Sequence, residues 1–141
     1  MTITYFAYGA NLDTDAMQER CPGAEVLGIA TLADHRLVAM REGWLSIEPA
    51  PDENVMGLLW ALGEDHLLAI DAYEDVADGL YERAHRSVQS KEDGVLEALV
   101  YIGSNPGPGV LRDEYARRVA RAARSVLDDA SAARILALAH P

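Results

Sequence analysis

The chain has 141 residues, about the size of one domain, with half of them hydrophobic and a quarter charged, a composition that supports a core and excludes a disordered class. Asp and Glu outnumber Lys and Arg by 23 to 12, so the surrounding field repels phosphate backbones and excludes nucleic acid as the expected partner. No apolar run approaches the ~20 residues that span a bilayer, and residues 1–20 lack the basic start and apolar middle of a signal peptide, so a cytosolic (cytoplasmic) single domain over 1–141, with no membrane partner, is expected.

The first element is a strand in which Ile3, Tyr5 and Ala7 alternate with Thr4 and Phe6, and the alternation stops at Gly9. "DTDAMQER" predicts a short helix with Asp13 as N-cap, ended by Cys21-Pro22-Gly23. "AEVLGIATLADHRLVAM", "WLSIEPAP" and "NVMGLLWAL" predict three strands, separated by turn residues. A helix is expected over "EDHLLAIDAYEDV", then two strands, "LYERAHRSVQS" and "VLEALVYIG", joined through a hairpin-type turn at Asp93-Gly94. "SNPGPG" reads as a loop, and "LRDEYARRVARAARSVLDD" and "SAARILALAH" as helices, the first with Tyr115, Val119, Ala122 and Val126 on one face. Strands with helices between and after them predict an α+β fold built on a small, mostly antiparallel barrel or curved mixed sheet flanked by helices.

Several constellations carry no chemistry. The glycines of "GSNPGPG" lack the Lys-Ser or Lys-Thr that a phosphate loop needs, and Asp113 and Glu114 follow them. His35, His66, His85 and His140 never fall at metal-site spacing, so no metal is expected. Cys21, the only cysteine, reads as a structural thiol, and Arg117, Arg118, Arg121 and Arg124 as a solvated stripe. Glu74 differs. At about 100° per residue it follows Ile70 on the apolar face of its helix, which turns a carboxylate inward and raises its pKa if the helix is regular. If the helix frays there, the side chain reaches solvent.

"YFAYGANL" resembles the YGSNL signature of the gamma-glutamyl cyclotransferases. "AIDAYEDVADGLYER" is similar to that family's Leu-Asp-x-x-Glu-x-Val-x-x-Gly-x-Tyr segment, through Asp71, Glu74, Val76, Gly79 and Tyr81. Val55, Gly57 and Trp60 resemble its Val-x-Gly-x-x-Trp strand, and Tyr101 and Tyr115 its late Tyr-bearing segment. Ala10 stands where the signature has Ser, which bears on substrate preference more than on chemistry.

The resemblance implies a barrel or curved sheet with a cavity at its mouth. It also implies a cofactor-independent enzyme that cleaves a small γ-glutamyl amide by attack of the substrate's own α-amine, releasing 5-oxoproline. Glu74 would be the acid/base, the loop Tyr8, Gly9, Ala10, Asn11 and Leu12 would bind the γ-glutamyl moiety, and Tyr81 and Tyr115 would orient it or line the pocket. The loop also admits the plainer reading of a strand-to-helix turn with Asn11 or Asp13 as cap. A γ-glutamylamine or secondary-metabolite cyclotransferase, and a non-catalytic γ-glutamyl-binding module, are the alternatives; the leaving group and the oligomeric state are left open.

Overall fold

Alternating and β-branched runs form five strands: β1 (Ile3–Ala7), β2 (Glu25–Ala39), β3 (Leu45–Leu62), β4 (Tyr81–Ser90) and β5 (Gly94–Gly103). In the computed structural model, which describes residues 2–141, they close a barrel in the order β1-β3-β2-β4-β5. Every seam is antiparallel except β1 with β5, which pair in parallel at Tyr5 and Leu99. The expected α+β architecture is therefore a closed, mixed barrel with helices against it.

Gly57 makes the β1–β3 seam possible. A Cβ there would stand 2.5 Å from the Ala7 carbonyl oxygen and 2.6 Å from the Phe6 ring, closer than such atoms approach. Phe6 is fully buried although it alternates with Tyr5, because β1 is covered on both faces.

The sequence led to two strands where the structure has one, the 18-residue β3. "PAPDEN" carries turn residues, yet it runs on through an irregularity in which β2 and β3 change register between Ala33 and His35. Asp34 and Asp52 take left-handed φ of 57° and 66°, and the Asp52 N–H donates to Asp34 Oδ1 at 3.0 Å. Asp tolerates that region better than most residues, so the strand bends here without ending.

Four helices complete the described chain: α1 (Thr14–Arg20), α2 (Glu64–Tyr73), α3 (Asp113–Val126) and α4 (Asp129–Ala137). Asp13 caps α1 by accepting from the N–H groups of Asp15 and Ala16, and Asp128 caps α4 by accepting from Ser131. α3 buries Ala116, Val119, Ala120 and Ala123, small residues that let it lie close to α4 and to the loop after β1. No helix among the described residues is long and apolar enough to cross a membrane.

α2 is tied to the end of α1 through His66. Its Nδ1 accepts from the Gly63 N–H at 3.1 Å and its Nε2 lies 2.6 Å from the Pro22 carbonyl oxygen. An amide can only donate and a carbonyl only accept, so the ring is neutral with its proton on Nε2. Cys21 is fully buried beside it, its thiol donating to the His66 carbonyl at 3.6 Å, which fits a structural thiol.

Candidate functional site

β1 delivers the chain into Tyr8 and then a 3-10 turn over Ala10–Leu12. The turn uses the N–H of Leu12, given to the Gly9 carbonyl at 3.0 Å, and that of Asp13, given to the Ala10 carbonyl at 3.3 Å. The N–H groups of Gly9, Ala10 and Asn11 meet no protein acceptor among the described residues, and all three residues line a cavity of about 340 Å³. Gly9 is not in the left-handed region, having φ −128°. A Cβ there would stand 3.5 Å from Tyr115 Oη, so the glycine keeps open the space in front of that hydroxyl. Asp13, not Asn11, caps the following helix.

Asn11 is buried and holds the loop in place. Its Nδ2 donates to Tyr5 Oη at 2.9 Å, its Oδ1 accepts from Arg20, and its carbonyl accepts from Trp60 Nε1 at 3.2 Å. Leu12 is also fully buried, and its side chain lies in the core beneath the loop instead of on the cavity wall.

Glu74 lines the same cavity, but it is not inside a regular helix as the periodicity predicts. α2 ends at Tyr73 and Glu74 is its C-cap, φ −84° and ψ 3°. Its N–H still donates to the Ile70 carbonyl at 2.8 Å, so the side chain keeps the phase of the fully buried Ile70 one turn earlier. The next two residues lock the end: the Asp75 N–H bonds to the Ala72 carbonyl and the Val76 N–H to the Asp71 carbonyl, with Asp75 at φ 56°. That is a Schellman motif with Asp in the usual glycine position. Glu74 is half-buried, and burial pushes its carboxyl up to about 7, against a downward pull from Arg20.

A second set of bonds clamps α2 to the barrel. Asp71 accepts from Tyr101 Oη at 2.6 Å and from both Arg83 Nε, at 3.0 Å, and Arg83 Nη2. The Arg83 guanidinium and the Tyr101 hydroxyl hold the Asp71 carboxyl below its ordinary range despite partial burial. Tyr101 also accepts, at its carbonyl, a bond of 2.6 Å from Tyr8 Oη. The segment carrying Glu74 and the loop after β1 are thus fastened to the same residue of β5.

Burial raises the phenols of Tyr5, Tyr8, Tyr81, Tyr101 and Tyr115 above their ordinary range, so each remains a neutral hydroxyl. Their protons are not equally available. Tyr81 Oη donates to the Leu45 carbonyl at 2.5 Å, whereas Tyr115 Oη accepts from the Leu45 N–H at 3.3 Å and keeps its own proton to give. Tyr5, accepting from Asn11, is in the same position as Tyr115. The structure therefore brings Tyr8, Gly9, Ala10, Asn11, Glu74, Tyr81 and Tyr115 to one cavity, and leaves Leu12 out.

Tyr5, Trp44, Tyr73 and Arg118 also line it, and the sequence reading assigned them no part. Tyr5 carries a signal, since it shares a strand face with the signature that follows. Arg118 carries none, because its stripe looks alike along its length and only the docking of α3 separates one arginine from the next.

A family model for "Gamma-glutamyl cyclotransferase, AIG2-like" matches residues 5–123. The chain is 29% identical to a gamma-glutamylcyclotransferase of Mus musculus and 30% identical to one of Bos taurus, over 114 residues in each case. These matches cover 74% of this chain and 61% of each relative, so the chain spans less than two thirds of the length of the curated relatives it matches. A solved gamma-glutamyl cyclotransferase structure superposes with a TM-score of 0.87 at 23% identity, covering 96% of this chain and 86% of the other, a likeness of fold.

Proposed function

The chain belongs to the gamma-glutamyl cyclotransferase, AIG2-like, family, and from that premise we propose that it cleaves a γ-glutamyl amide to 5-oxoproline and a free amine or amino acid, with Glu74 as acid and base. The observation that carries the reading is a half-buried carboxyl, pushed up to about 7, on the same cavity as three consecutive N–H groups that meet no acceptor among the described residues.

The substrate's γ-carbonyl lies against the N–H groups of Gly9, Ala10 and Asn11, which receive negative charge as it develops on that oxygen. Glu74 takes a proton from the α-amino group, whose nitrogen then attacks the γ-carbon and closes the five-membered ring. As the tetrahedral intermediate collapses, the bond to the leaving nitrogen breaks and Glu74 returns the proton to it. No water is consumed. A pKa of about 7 lets one group serve both steps, because neither protonation state is rare near neutral pH. Holding nucleophile and carbonyl in one molecule supplies several kcal/mol more. Tyr115 and Tyr5, with protons to give, suit the substrate's α-carboxylate, and Tyr81, whose proton is committed, is left to accept from its neutral α-amino group.

The test is 5-oxoproline release from a panel of γ-glutamyl amino acids and γ-glutamyl amines, with Glu74→Gln beside the wild type. The Gln variant is expected to stay folded, melting no lower than the wild type near neutrality, and to lose about 10²–10⁴-fold in turnover. A folded variant with near wild-type rate would remove Glu74 from the mechanism.

A further inference from the structure

The cavity continues past Ala10. A recess of about 50 Å³ opens beside it, bordered by Asp13, Arg20 and Val119 and sharing Ala10, Tyr73, Tyr115 and Arg118 with the main space. A water needs roughly 10–15 Å³ measured this way, so the recess has room for a carboxylate-sized group.

Most charges around it are already engaged. Asp13 Oδ1 accepts from the first turn of α1. Arg20 gives one edge to Asn11 and lays its guanidinium 3.4 Å from the centroid of the Tyr73 ring. Asp75, on the main cavity, crowds Asp78, which raises its carboxyl. On α3, Arg117 pairs with Asp113 and Arg124 with Asp129. Arg118 alone of the cations bordering cavity and recess makes no hydrogen bond or ion pair among the described residues. Its charge still reaches Tyr115, whose phenol it pulls down against the larger effect of burial. Arg121, one turn further along α3, is unpaired as well among the described residues but borders neither the cavity nor the recess, so it is position that sets Arg118 apart.

Resting on the cyclotransferase reading, we propose that Arg118 sets the choice among γ-glutamyl amides by holding a carboxylate on the half of the substrate that is released. The geometry gives the direction. The scissile carbonyl lies at Gly9–Asn11, the released half departs from that same carbon, and the recess opens from Ala10, the middle residue of the three. A substituent on the leaving nitrogen enters the recess and meets Arg118. Amides of α-amino acids carry a carboxylate at that place, and simple γ-glutamyl amines do not. The methyl of Ala10 borders the recess without filling it with a further polar group.

The matched pair γ-glutamyl-alanine and γ-glutamyl-ethylamine differs only in that carboxylate. The wild type is expected to prefer the alanine conjugate about tenfold or more in kcat/KM, as a charge-assisted pair requires. Arg118→Gln should reduce that ratio about tenfold, and Arg118→Lys should retain part of it. An equal ratio in wild type and Arg118→Gln overturns the proposal, and this includes an equal fall on both substrates, the mark of an arginine that holds the γ-glutamyl α-carboxylate they share. Calorimetric binding of the same pair to Glu74→Gln reads the preference without turnover. Absence of 5-oxoproline from every wild-type reaction therefore counts against the cyclotransferase reading, while equal binding of the two ligands counts against Arg118.

Discussion

Glu74 and the phenols around it respond to the same loss of water with the same upward shift and different consequences. The phenols become weaker acids and stay hydroxyls, whereas the carboxyl is moved into the range where it exchanges protons. This has a stability consequence with a definite sign. The folded-state pKa of Glu74 lies above its ordinary 4.5, so folding favours the protonated form. That contribution is fully present below about pH 4.5 and is lost as pH rises through about 7. Gln mimics the protonated acid, so Glu74→Gln should melt higher than the wild type at pH 8, by an amount worth up to about 3 kcal/mol. The difference should shrink steadily to nothing near pH 4.5 in thermal melts across that range, and a difference independent of pH would contradict the assignment. At this scale Glu74 was legible in the sequence because Ile70, one turn earlier, shares its face. Arg118 was not, because what makes it part of the site is the approach of residues distant in sequence.

α2 acts as an arm held at both ends, by His66 against Pro22 and by Asp71 against Arg83 and Tyr101. The second clamp lies one turn before Glu74 and controls where the carboxylate stands. Tyr101→Phe removes the bond to Asp71 and leaves the carbonyl that Tyr8 uses. The expected loss is about 1 kcal/mol of stability, with kcat lowered more than KM is changed, read from a denaturant titration and steady-state kinetics on one substrate. A fall in stability with kcat intact would make the clamp a fold contact only. The helix itself was legible, but its end was not. Sequence periodicity ran to Val76, while the chain leaves the helix after Tyr73 because Asp75 adopts a left-handed conformation that glycine more often supplies. The β3 irregularity has the same origin: Asp52 takes positive φ where the sequence suggested a break between two strands, as does Asp34 in the paired β2.

For the molecule as a whole, closure of the barrel depends on how near β1 and β3 can come. Gly57→Ala places a Cβ against Ala7 and Phe6, in a seam with no flexible side chain to yield. Overpacking of this kind typically destabilises by about 1–3 kcal/mol and more where backbone is struck, so the melting temperature should fall by roughly 5 °C or more. An unchanged melt would mean the seam relaxes freely. The sequence showed strands, helices and their order well enough to predict a small barrel or curved sheet. The parallel β1–β5 contact was not visible, since a pairing between Tyr5 and Leu99 leaves no local trace.

That pairing bears on how the protein is made. Tyr5 of β1 faces Trp60 on one side and Leu99 on the other, so both neighbours of the strand are synthesised long after it. A growing chain presents the loop after β1 early, with no edge for the strand to join until β3 and then β5 emerge. Contacts this distant in sequence favour slow folding, on the millisecond-to-second scale typical of β-rich domains. Until then β1 is an unpaired apolar strand, the kind of segment that chaperones bind and that aggregates when they do not. Glu74, Tyr101 and Tyr115 also arrive late, so no nascent chain short of α3 holds the full cavity. The first part of the site to be translated is among the last to be put in place.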